Sequence, residues 1–326
     1  MTKVLITGAG ALLGQEVYRS LRRSTLLDDL FIGFADPSNL AVGLYWSDVS
    51  HSIPMASSDE YIDSLVNIIH ANSYEYLIPG TDVELPKISK FRSKIESSTS
   101  CKVIVSSRNV IDIANDKFLT FSFLNEHGFS PPLSWSLETL SNQNISELPY
   151  PLIVKPRDGA RSIGVLKVDQ PSHLMNALSN TNNPVIQECI DSPDDEYTAG
   201  SITFGGKCIS SILLNRTLRD GNTWTAKVVN DVSLNKMIAC ISEALNPYGP
   251  CNFQFRLDKL GLPRVFEINA RFSGTTYMRT LSGFDEVVWS LLYARDGFIS
   301  DSIPSKFEDL FFMRSFDLTS ITNPLK

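Results

Sequence analysis

Residues 263–276, with the sequence PRVFEINARFSGTT, decide how we interpret the chain. The stretch opens with apolar residues that predict a buried strand, namely Val265, Phe266 and Ile268. Glu267 and Asn269 alternate with these residues, so on an extended strand their side chains lie on one face. A carboxylate and an amide carbonyl are hard oxygen ligands of the kind that Mg²⁺ prefers. Arg271 follows on the same face, and a guanidinium beside a metal indicates a phosphate or carboxylate ligand.

A second strand supports this interpretation. Residues 251–258, CNFQFRLD, alternate polar and apolar side chains, and the turn at residues 259–263 joins them to the first strand. The two segments therefore predict a hairpin, in which Gln254 adds a third oxygen beside Glu267 and Asn269. The alternative is an edge strand whose polar side chains simply face solvent.

Composition narrows the function classes. The chain has 326 residues, enough for one to three domains, with a net charge of -7 and a pI near 5.2. This acidity argues against a general nucleic-acid binder or a membrane-surface protein. Five widely spaced cysteines favour buried thiols in a reducing compartment. We find no signal-peptide pattern and no apolar stretch of about 18 residues, so we expect a cytoplasmic protein.

The first 36 residues suggest a glycine turn between a strand and a helix. Residues 3–7 predict a strand, the spacing G-x-G-x-x-x-G runs from Gly8 to Gly14, and Asp36 ends the next predicted strand. This pattern meets most of the dinucleotide-binding fingerprint, although it is one residue longer than the tight form. The alternative is a helix N-terminus that needs glycine only for tight packing or for some other anion.

Helices and strands continue to alternate to about residue 110, which predicts an open parallel α/β domain. Ligands of such sheets bind at the carboxyl ends of the strands. The glycine turn, Asp36, Thr81 and Asp82 all follow strands, so we expect them to face one cleft. Thr81 and Asp82 could instead cap the following helix.

The middle of the chain predicts a cover for phosphate. Residues 150–155 (YPLIVK) form a strand that ends in Lys155, and residues 156–164 (PRDGARSIG) form a basic, glycine-bearing loop before a return strand. Backbone N–H groups and cations in such a loop can close over an anion. An ordinary hairpin with a charged tip is the alternative. Hairpin signals dominate after residue 195 and predict an antiparallel sheet.

Taken together, these motifs resemble the ATP-grasp superfamily, close to the branch of the carbamoyl-phosphate synthetase large subunit. The resemblance covers most of the chain and includes a single ATP-grasp unit. It implies a fold of the α/β and α+β classes, with a Rossmann-like pre-ATP-grasp domain followed by a two-lobed ATP-grasp fold. We therefore expect an N-terminal domain at residues 1–112, a small lobe with the phosphate flap at residues 113–188, and a large lobe with the metal site at residues 189–326.

The resemblance also implies roles for individual residues. Lys117, Lys155 and the flap match phosphate-binding positions, the stretch 187–190 matches the hinge that meets adenine, and Glu196 matches the ribose-binding acid. The implied nucleotide-binding residues are Lys117, Lys155, Arg157, Ser162, Gly164, Glu188, Cys189, Ile190, Glu196 and Lys227. The match of Lys227 is the loosest, because only some family members carry a phosphate contact there.

The metal ligands that the resemblance implies are Gln254, Glu267 and Asn269. They would hold one or two Mg²⁺ ions, with Mn²⁺ as an alternative, and Lys155 and Arg271 would be catalytic. Arg271 matches the arginine that holds the acyl-phosphate or its carboxylate precursor. Gln254 departs from the many family members with a carboxylate there, which weakens the expected metal binding.

The implied activity is an ATP- and Mg²⁺-dependent carboxylate–amine or carboxylate–thiol ligase that acts through an acyl-phosphate. We expect small-molecule carboxylate and amine partners, neither nucleic acid nor membrane, and we leave a homodimer open. Two alternatives come from other classes: a non-catalytic nucleotide-binding protein on the same fold, and an NAD-dependent oxidoreductase based on residues 1–36.

Overall fold

The computed structural model describes residues 1–25, 27, 29–159, 163–190, 192, 196–297, 303–304, 306–322 and 325. The first third of the chain forms a parallel sheet with helices around it. Its elements are β1 (Thr2–Thr7), α1 (Leu12–Arg23), β2 (Leu30–Asp36), β3 (Val49–Ser52), α2 (Tyr61–Asn72), β4 (Tyr76–Ile78), α3 (Leu85–Thr99) and β5 (Lys102–Val103). The five strands are ordered β3-β2-β1-β4-β5 and all pair in parallel.

The apolar runs of β1, β2 and β4 explain why these strands are central, because a parallel sheet is covered on both faces. Val4, Leu5 and Ile6 of β1 are fully buried. The sequence analysis missed β3, whose sequence VSHS contains one apolar residue and no clear alternation. The predicted parallel α/β architecture is confirmed.

Two helices, α4 (Arg108–Asn115) and α5 (Lys117–Glu126), follow the parallel sheet. The sequence predicts a helix that opens at residues 115–117, and the structure confirms it as α5: the side chain of Asp116 accepts hydrogen bonds from the N–H groups of Phe118 and Leu119 and so caps this helix. The preceding helix α4 was not predicted.

The small sheet is built by the residues that follow α5. Its elements are β6 (Ser134–Ser136), α6 (Leu137–Leu140), β7 (Leu152–Pro156), β8 (Leu166–Val168), α7 (Pro171–Ser179) and β9 (Pro184–Glu188). The order is β6-β9-β7-β8, with antiparallel pairing throughout. The hairpin of β7 and β8 is the predicted flap hairpin, whereas β6 was not predicted from the sequence.

The large sheet contains the rest of the chain. Its elements are β10 (Glu196–Phe204), β11 (Lys207–Arg219), β12 (Asn222–Val229), α8 (Val232–Leu245), β13 (Gly249–Leu257), β14 (Pro263–Asn269), α9 (Thr276–Leu281), α10 (Glu286–Asp296) and β15 (Phe311–Met313). The antiparallel order is β14-β13-β10-β11-β12-β15. The predicted metal hairpin, β13 and β14, therefore forms one edge of this sheet.

One apolar core connects the parallel sheet to that edge. Val110 and Leu124, on the two linking helices, belong to the same buried cluster as Leu5 of β1 and Val265 and Ile268 of β14. The linking helices thus fix the metal hairpin against the N-terminal sheet.

Candidate functional site

The hairpin register brings the three predicted metal ligands together. Gln254 is directly opposite Glu267, and Asn252 is opposite Asn269. The register shifts between Gln254 and Phe255, so Phe266 has no direct partner. This irregularity explains one error of the sequence analysis: Phe266 is not a core residue but lines a cavity.

The carboxylate lies between the two amides. Oε1 of Glu267 accepts hydrogen bonds from Nε2 of Gln254 at 3.2 Å and from Nδ2 of Asn269 at 3.0 Å. The amide oxygens face arginines instead, because Arg216 donates to Oε1 of Gln254 at 2.7 Å and Arg271 donates to Oδ1 of Asn269 at 3.1 Å. A guanidinium only donates and a carboxylate only accepts, so these partners fix which way each amide points.

The donor set suits Mg²⁺ in type, since it offers one carboxylate and two amide oxygens. It holds a single negative charge, and both amides must turn before their oxygens can face an ion beside Glu267. No group of three or more His, Cys, Asp or Glu side chains that could hold a metal occurs in the described part of the chain. A Mg²⁺ ion held here would need further oxygen ligands and negative charge, which phosphate groups could supply.

A cavity of about 220 Å³ separates the small sheet from the large one. Lys155, at the end of β7, lines it together with Glu267 of β14. Nζ of Lys155 donates to Oε1 of Gln187 at 2.8 Å and lies 5.5 Å from the centre of the Phe266 ring. Burial lowers the pKa of Lys155 to about 8, against the opposing effect of Glu267 and with a smaller contribution from Lys117.

The predicted hinge lines the same cavity. Glu188, Cys189 and Ile190 contribute to its wall. Oε2 of Glu188 is bound by Arg264 at 3.1 Å and also accepts the N–H of Leu133. The carboxylate of Glu188 is therefore held by other groups of the protein.

Glu196 lines the cavity but is held by two arginines. Its carboxylate is 2.8 Å from Nη2 of Arg216 and 2.6 Å from Nη2 of Arg256. Burial acts to raise the pKa of Glu196, but these two guanidinium groups outweigh it and bring the pKa below its ordinary value. The predicted ribose-binding acid is thus already paired with two arginines.

The loop after β7 differs in part from the predicted flap. Arg157 turns back to Asp116, with its Nη2 at 2.6 Å from Oδ2 of Asp116. It is not among the residues that line this cavity. The prediction that Arg157 contacts phosphate is not supported, because the carboxylate that caps α5 takes its charge. Lys117 lines the cavity and donates to the carbonyl oxygen of Gly159 at 2.9 Å. Gly164 is exposed with φ of 73°, and Ser162 lies outside the described residues.

A second cavity, of about 620 Å³, continues from the first. The two share lining residues, namely Lys117, Asp158, Gly159, Gln254 and Glu267. The second cavity extends to the carboxyl end of the parallel sheet, where Thr81 and Asp82 lie, and to Ala11 and Leu12 at the start of α1. Asn269 and Arg271 line it as well.

Arg271 is already paired inside this cavity. Its Nε is 2.5 Å from Oδ1 of Asp82, and its Nη2 is 3.2 Å from Oδ2. The side chain of Asp82 is about one-third exposed and that of Arg271 is largely buried. The guanidinium that was predicted to hold an acceptor carboxylate thus holds a carboxylate of the protein.

The glycine turn is filled by the protein itself. Asp36 accepts the N–H of Gly10 at 2.9 Å and that of Ser38 at 2.9 Å, so the acid expected at a ribose is satisfied internally. A Cβ on Gly10 would lie 3.3 Å from Cβ of Ala41, and one on Gly14 would lie 2.5 Å from a backbone oxygen. The glycines serve tight packing, which removes the observation on which the NAD alternative rested. Asp36 also does not join Thr81 and Asp82 in the second cavity, contrary to our expectation.

Lys227 is wrong as a site residue. Its neighbours Ala226 and Val228 are buried on one face of β12, which leaves Lys227 exposed on the opposite face. Ala226 pairs with Arg216, the arginine that lines the second cavity, so the cleft lies on the face that Lys227 does not share.

The sequence analysis missed Arg216, which bonds both Glu196 and Gln254 and is almost fully buried. The missed signal was the alternation of β11, in which Arg216 follows Leu214 on one face. Asn252 was noted as polar but not as a site residue. It lines the second cavity, and its Oδ1 accepts from Thr198 at 2.8 Å and from Arg279.

Comparisons with known proteins agree with this architecture. Residues 187–314 match the family model described as "ATP-grasp in the biosynthetic pathway with Ter operon". No curated protein sequence gave a significant match. Among the described helices, none is long and apolar enough to cross a membrane.

Solved structures with the same fold include three enzymes. An L-amino acid ligase from Bacillus licheniformis is 19% identical, with a TM-score of 0.66 over 91% of this chain and 74% of that one. A biotin carboxylase from Campylobacter jejuni is 17% identical, with a TM-score of 0.72 over 94% and 73%. An N5-carboxyaminoimidazole synthetase from Staphylococcus aureus, solved with ADP, is 15% identical, with a TM-score of 0.72 over 96% and 82%.

Proposed function

We propose that this chain, whose residues 187–314 match an ATP-grasp family model and whose fold is shared by an L-amino acid ligase, is an ATP-dependent ligase that joins a small-molecule carboxylate to an amine or a thiol. The observation that carries the proposal is that Lys155, on the small sheet, and Glu267, on the large sheet, line one cavity. A buried cation and a metal-type carboxylate from two separate sheets suit a polyphosphate bound between them. We further propose the divisions 1–112, 113–188 and 189–326 as the N-terminal domain, the small lobe and the large lobe.

In this proposal the nucleotide spans both cavities. The adenine lies against residues 188–190 and Phe266 in the first cavity, and the phosphates run past Lys155 and Lys117 toward the second. Lys155 and Lys117 neutralise phosphate charge, which phosphoryl transfer requires more than covalent help from the protein. Mg²⁺, when bound by Glu267, Gln254 and Asn269, supplies charge neutralisation of the phosphates.

The acceptor carboxylate binds in the second cavity at Arg271. An arginine recognises a carboxylate through two parallel N–H donors, which fixes its orientation as well as its position. A carboxylate oxygen attacks the γ-phosphorus and releases ADP, and the product is an acyl-phosphate. The amine or thiol then attacks the carbonyl carbon, the carbon–oxygen bond to phosphate breaks, and inorganic phosphate leaves with the bridging oxygen. Exclusion of water from the cleft during the reaction would limit hydrolysis of the acyl-phosphate.

The test is a screen for ADP release over pairs of carboxylates with amines or thiols. The proposal predicts ADP and phosphate only when Mg²⁺ and a productive pair are present. Thermal melts with ATP and Mg²⁺, and with NAD, provide a separate binding measurement. A melting shift with NAD alone would overturn the proposal, and an ATP shift without ADP release from any pair would favour a non-catalytic nucleotide-binding protein.

A further inference from the structure

A third cavity, of about 490 Å³, adjoins the second cavity and shares no lining residue with the first. The two share Leu12 and Asn222 as lining residues. The remaining wall combines cationic and aromatic side chains, chiefly Arg19, Trp46, Arg219, Trp224, Arg314 and Phe316. The proposed function assigns no role to this cavity.

Two arginines of this cavity are stacked on tryptophans. The guanidinium of Arg19 is 5.3 Å from the Trp46 ring centre, and that of Arg219 is 4.6 Å from the Trp224 ring centre. Stacking holds a guanidinium by its flat face and leaves the N–H donors at its edge available for an anion. The side chains of Arg19 and Arg219 are 36% and 56% exposed, so solvent and ligands can reach them.

Among the carboxylates that the structure describes, none fully engages either of these arginines. Arg19 is 3.7 Å from Glu16 and Arg219 is 3.9 Å from Asp220, and both distances exceed a normal hydrogen bond. Glu16 instead forms an ion pair with Arg314, whose Nη1 is 3.1 Å from Oε1 of Glu16. The two stacked arginines therefore keep donors that a ligand can use.

Arg314 has a different task, because it fastens the C-terminal segment across the cavity. It donates to the carbonyl oxygens of Thr223 at 3.0 Å and Gly274 at 2.5 Å, and both of those residues line the second cavity. Further along, Trp46 donates from Nε1 to Oγ1 of Thr319 at 3.0 Å. Residues 314–319 thus form a strap that holds the third cavity beside the second.

The charges of the wall favour an anion modestly. Three arginines line the cavity with two aspartates, Asp220 and Asp317, which leaves one net positive charge among these lining side chains. The side chain of Asp220 is 91% exposed, and Asp317 accepts the N–H of Leu318. Specific donors beside flat aromatic faces, rather than a strong overall field, would select the ligand.

We propose that the third cavity binds the far end of the acceptor substrate, and that this end is a planar ring bearing an anionic group. The assignment of the near end, a carboxylate at Arg271, rests on the proposed function. The ring lies against Trp224 and Phe316, whose own ring centres are 5.5 Å apart, and the anion meets Arg19 and Arg219. The substrate is then an extended aromatic or heteroaromatic carboxylate with a second negative group.

The test uses benzenesulfonate, which is planar and anionic but offers no carboxylate to phosphorylate. Calorimetric titration of the full chain should detect benzenesulfonate at millimolar concentration and methanesulfonate or benzyl alcohol much more weakly. The double variant Arg19→Gln/Arg219→Gln should bind the probe at least about tenfold more weakly, which corresponds to one lost charged contact. Arg108→Gln, on an exposed helix surface, is the matched control and should bind as the parent does.

A tryptophan readout locates the binding. Benzenesulfonate should change the intrinsic fluorescence of the parent, and Trp224→Phe should lose most of that change. Equal affinity for the parent and the double variant, or no preference for benzenesulfonate over methanesulfonate, would overturn the inference. Titration of ATP with Mg²⁺ on the same samples separates the two proposals. If the parent binds ATP but not benzenesulfonate, only the proposed role of the third cavity is refuted. If the parent does not bind ATP, the proposed function is refuted.

Discussion

Arg271 and Asp82 form an ion pair across the second cavity, with Nε and Oδ1 at 2.5 Å, and thereby join the metal hairpin to the parallel sheet. Asp82 follows β4, which pairs with the central strand β1 of the parallel sheet, and Arg271 follows β14 of the large sheet. The carboxylate of Asp82 occupies the donors that an acceptor carboxylate needs. In the proposed reaction, the acceptor carboxylate therefore has to displace Asp82 or share the guanidinium with it.

Asp82→Asn should strengthen acceptor binding. The asparagine keeps the shape of the side chain but removes the competing charge from Arg271. A contact worth about one to two kcal/mol corresponds to a roughly 5- to 30-fold fall in KM for the carboxylate found by the screen. The control is Asp112→Asn, which removes the carboxylate of an exposed pair with Arg108 on α4. A higher KM in Asp82→Asn would mean that Asp82 orients Arg271 rather than competes for it.

Glu267→Gln should abolish turnover without unfolding the protein. Glutamine keeps an oxygen and the shape but removes the only carboxylate among the predicted metal ligands. Loss of several kcal/mol of transition-state stabilisation lowers kcat by at least about 100-fold. Asn269→Ala should act in the same direction more weakly, since a neutral ligand is lost. Parental turnover of Glu267→Gln in saturating Mg²⁺ would remove Glu267 from the metal site.

Lys155 should make ATP affinity depend on pH. Its pKa of about 8 in the folded protein is below the value of about 10.4 for an unfolded chain, because burial disfavours the charged form. Bound phosphates favour the charged form, so ATP binding takes up a proton as the pH rises above about 8. Affinity should fall by up to about tenfold per pH unit between roughly pH 8 and 10.

The same shift sets the sign of the stability effect without nucleotide. The unfolded chain binds more protons than the folded one between about pH 8 and 10.4, so the contribution of Lys155 to the free energy of unfolding rises across that window.

Calorimetric titration in buffers of different ionisation enthalpy measures the proton uptake on ATP binding. Lys155→Met should bind ATP more weakly and without this pH dependence. An unchanged pH profile in Lys155→Met would assign the titration to another group.

The buried ion pair of Arg279 and Glu286 should stabilise the fold beside the candidate site. Both side chains are fully buried, with Nη1 of Arg279 at 3.2 Å from Oε1 of Glu286, and Arg279 also donates to Asn252. Arg279→Met leaves the Glu286 charge buried without its cation, so the free energy of unfolding should fall by about 3–5 kcal/mol in urea.

Two further variants show whether the loss of stability comes from the unpaired charge. Arg295→Met breaks an exposed pair with Asp296 and should change stability by no more than about 1 kcal/mol. Adding Glu286→Leu to Arg279→Met should recover part of the stability, since no unpaired charge remains. A double variant as unstable as Arg279→Met would assign the loss to packing instead.

Much of the architecture could be predicted because its signals are local. The apolar runs of β1 and β2 and the alternation of residues 251–258 each depend on neighbouring residues, and the structure confirms the parallel sheet and the hairpin. The pairing of Gln254 with Glu267 followed from the same alternation. The prediction that Phe266 is buried was wrong because a shift in register places this residue at the cleft, and sequence periodicity does not reveal such a shift.

The partners of the charged residues could not be predicted. Arg157 met Asp116, 41 positions away, and Arg271 met Asp82, 189 positions away. A guanidinium binds whichever carboxylate the fold brings near, and that depends on how the sheets are arranged. Lys227 failed for a related reason, because its face of β12 is decided by the residues that pack under Ala226 and Val228.

The most direct test of the ligase account is the fate of the acceptor oxygen. A carboxylate identified by the screen is labelled with ¹⁸O at both oxygens and turned over with ATP, Mg²⁺ and its amine or thiol, and the released phosphate is analysed by mass spectrometry. Attack of the carboxylate on the γ-phosphorus transfers one labelled oxygen to each phosphate. Phosphate that carries one ¹⁸O per turnover is the predicted result, and unlabelled phosphate alongside coupled product would contradict an acyl-phosphate intermediate.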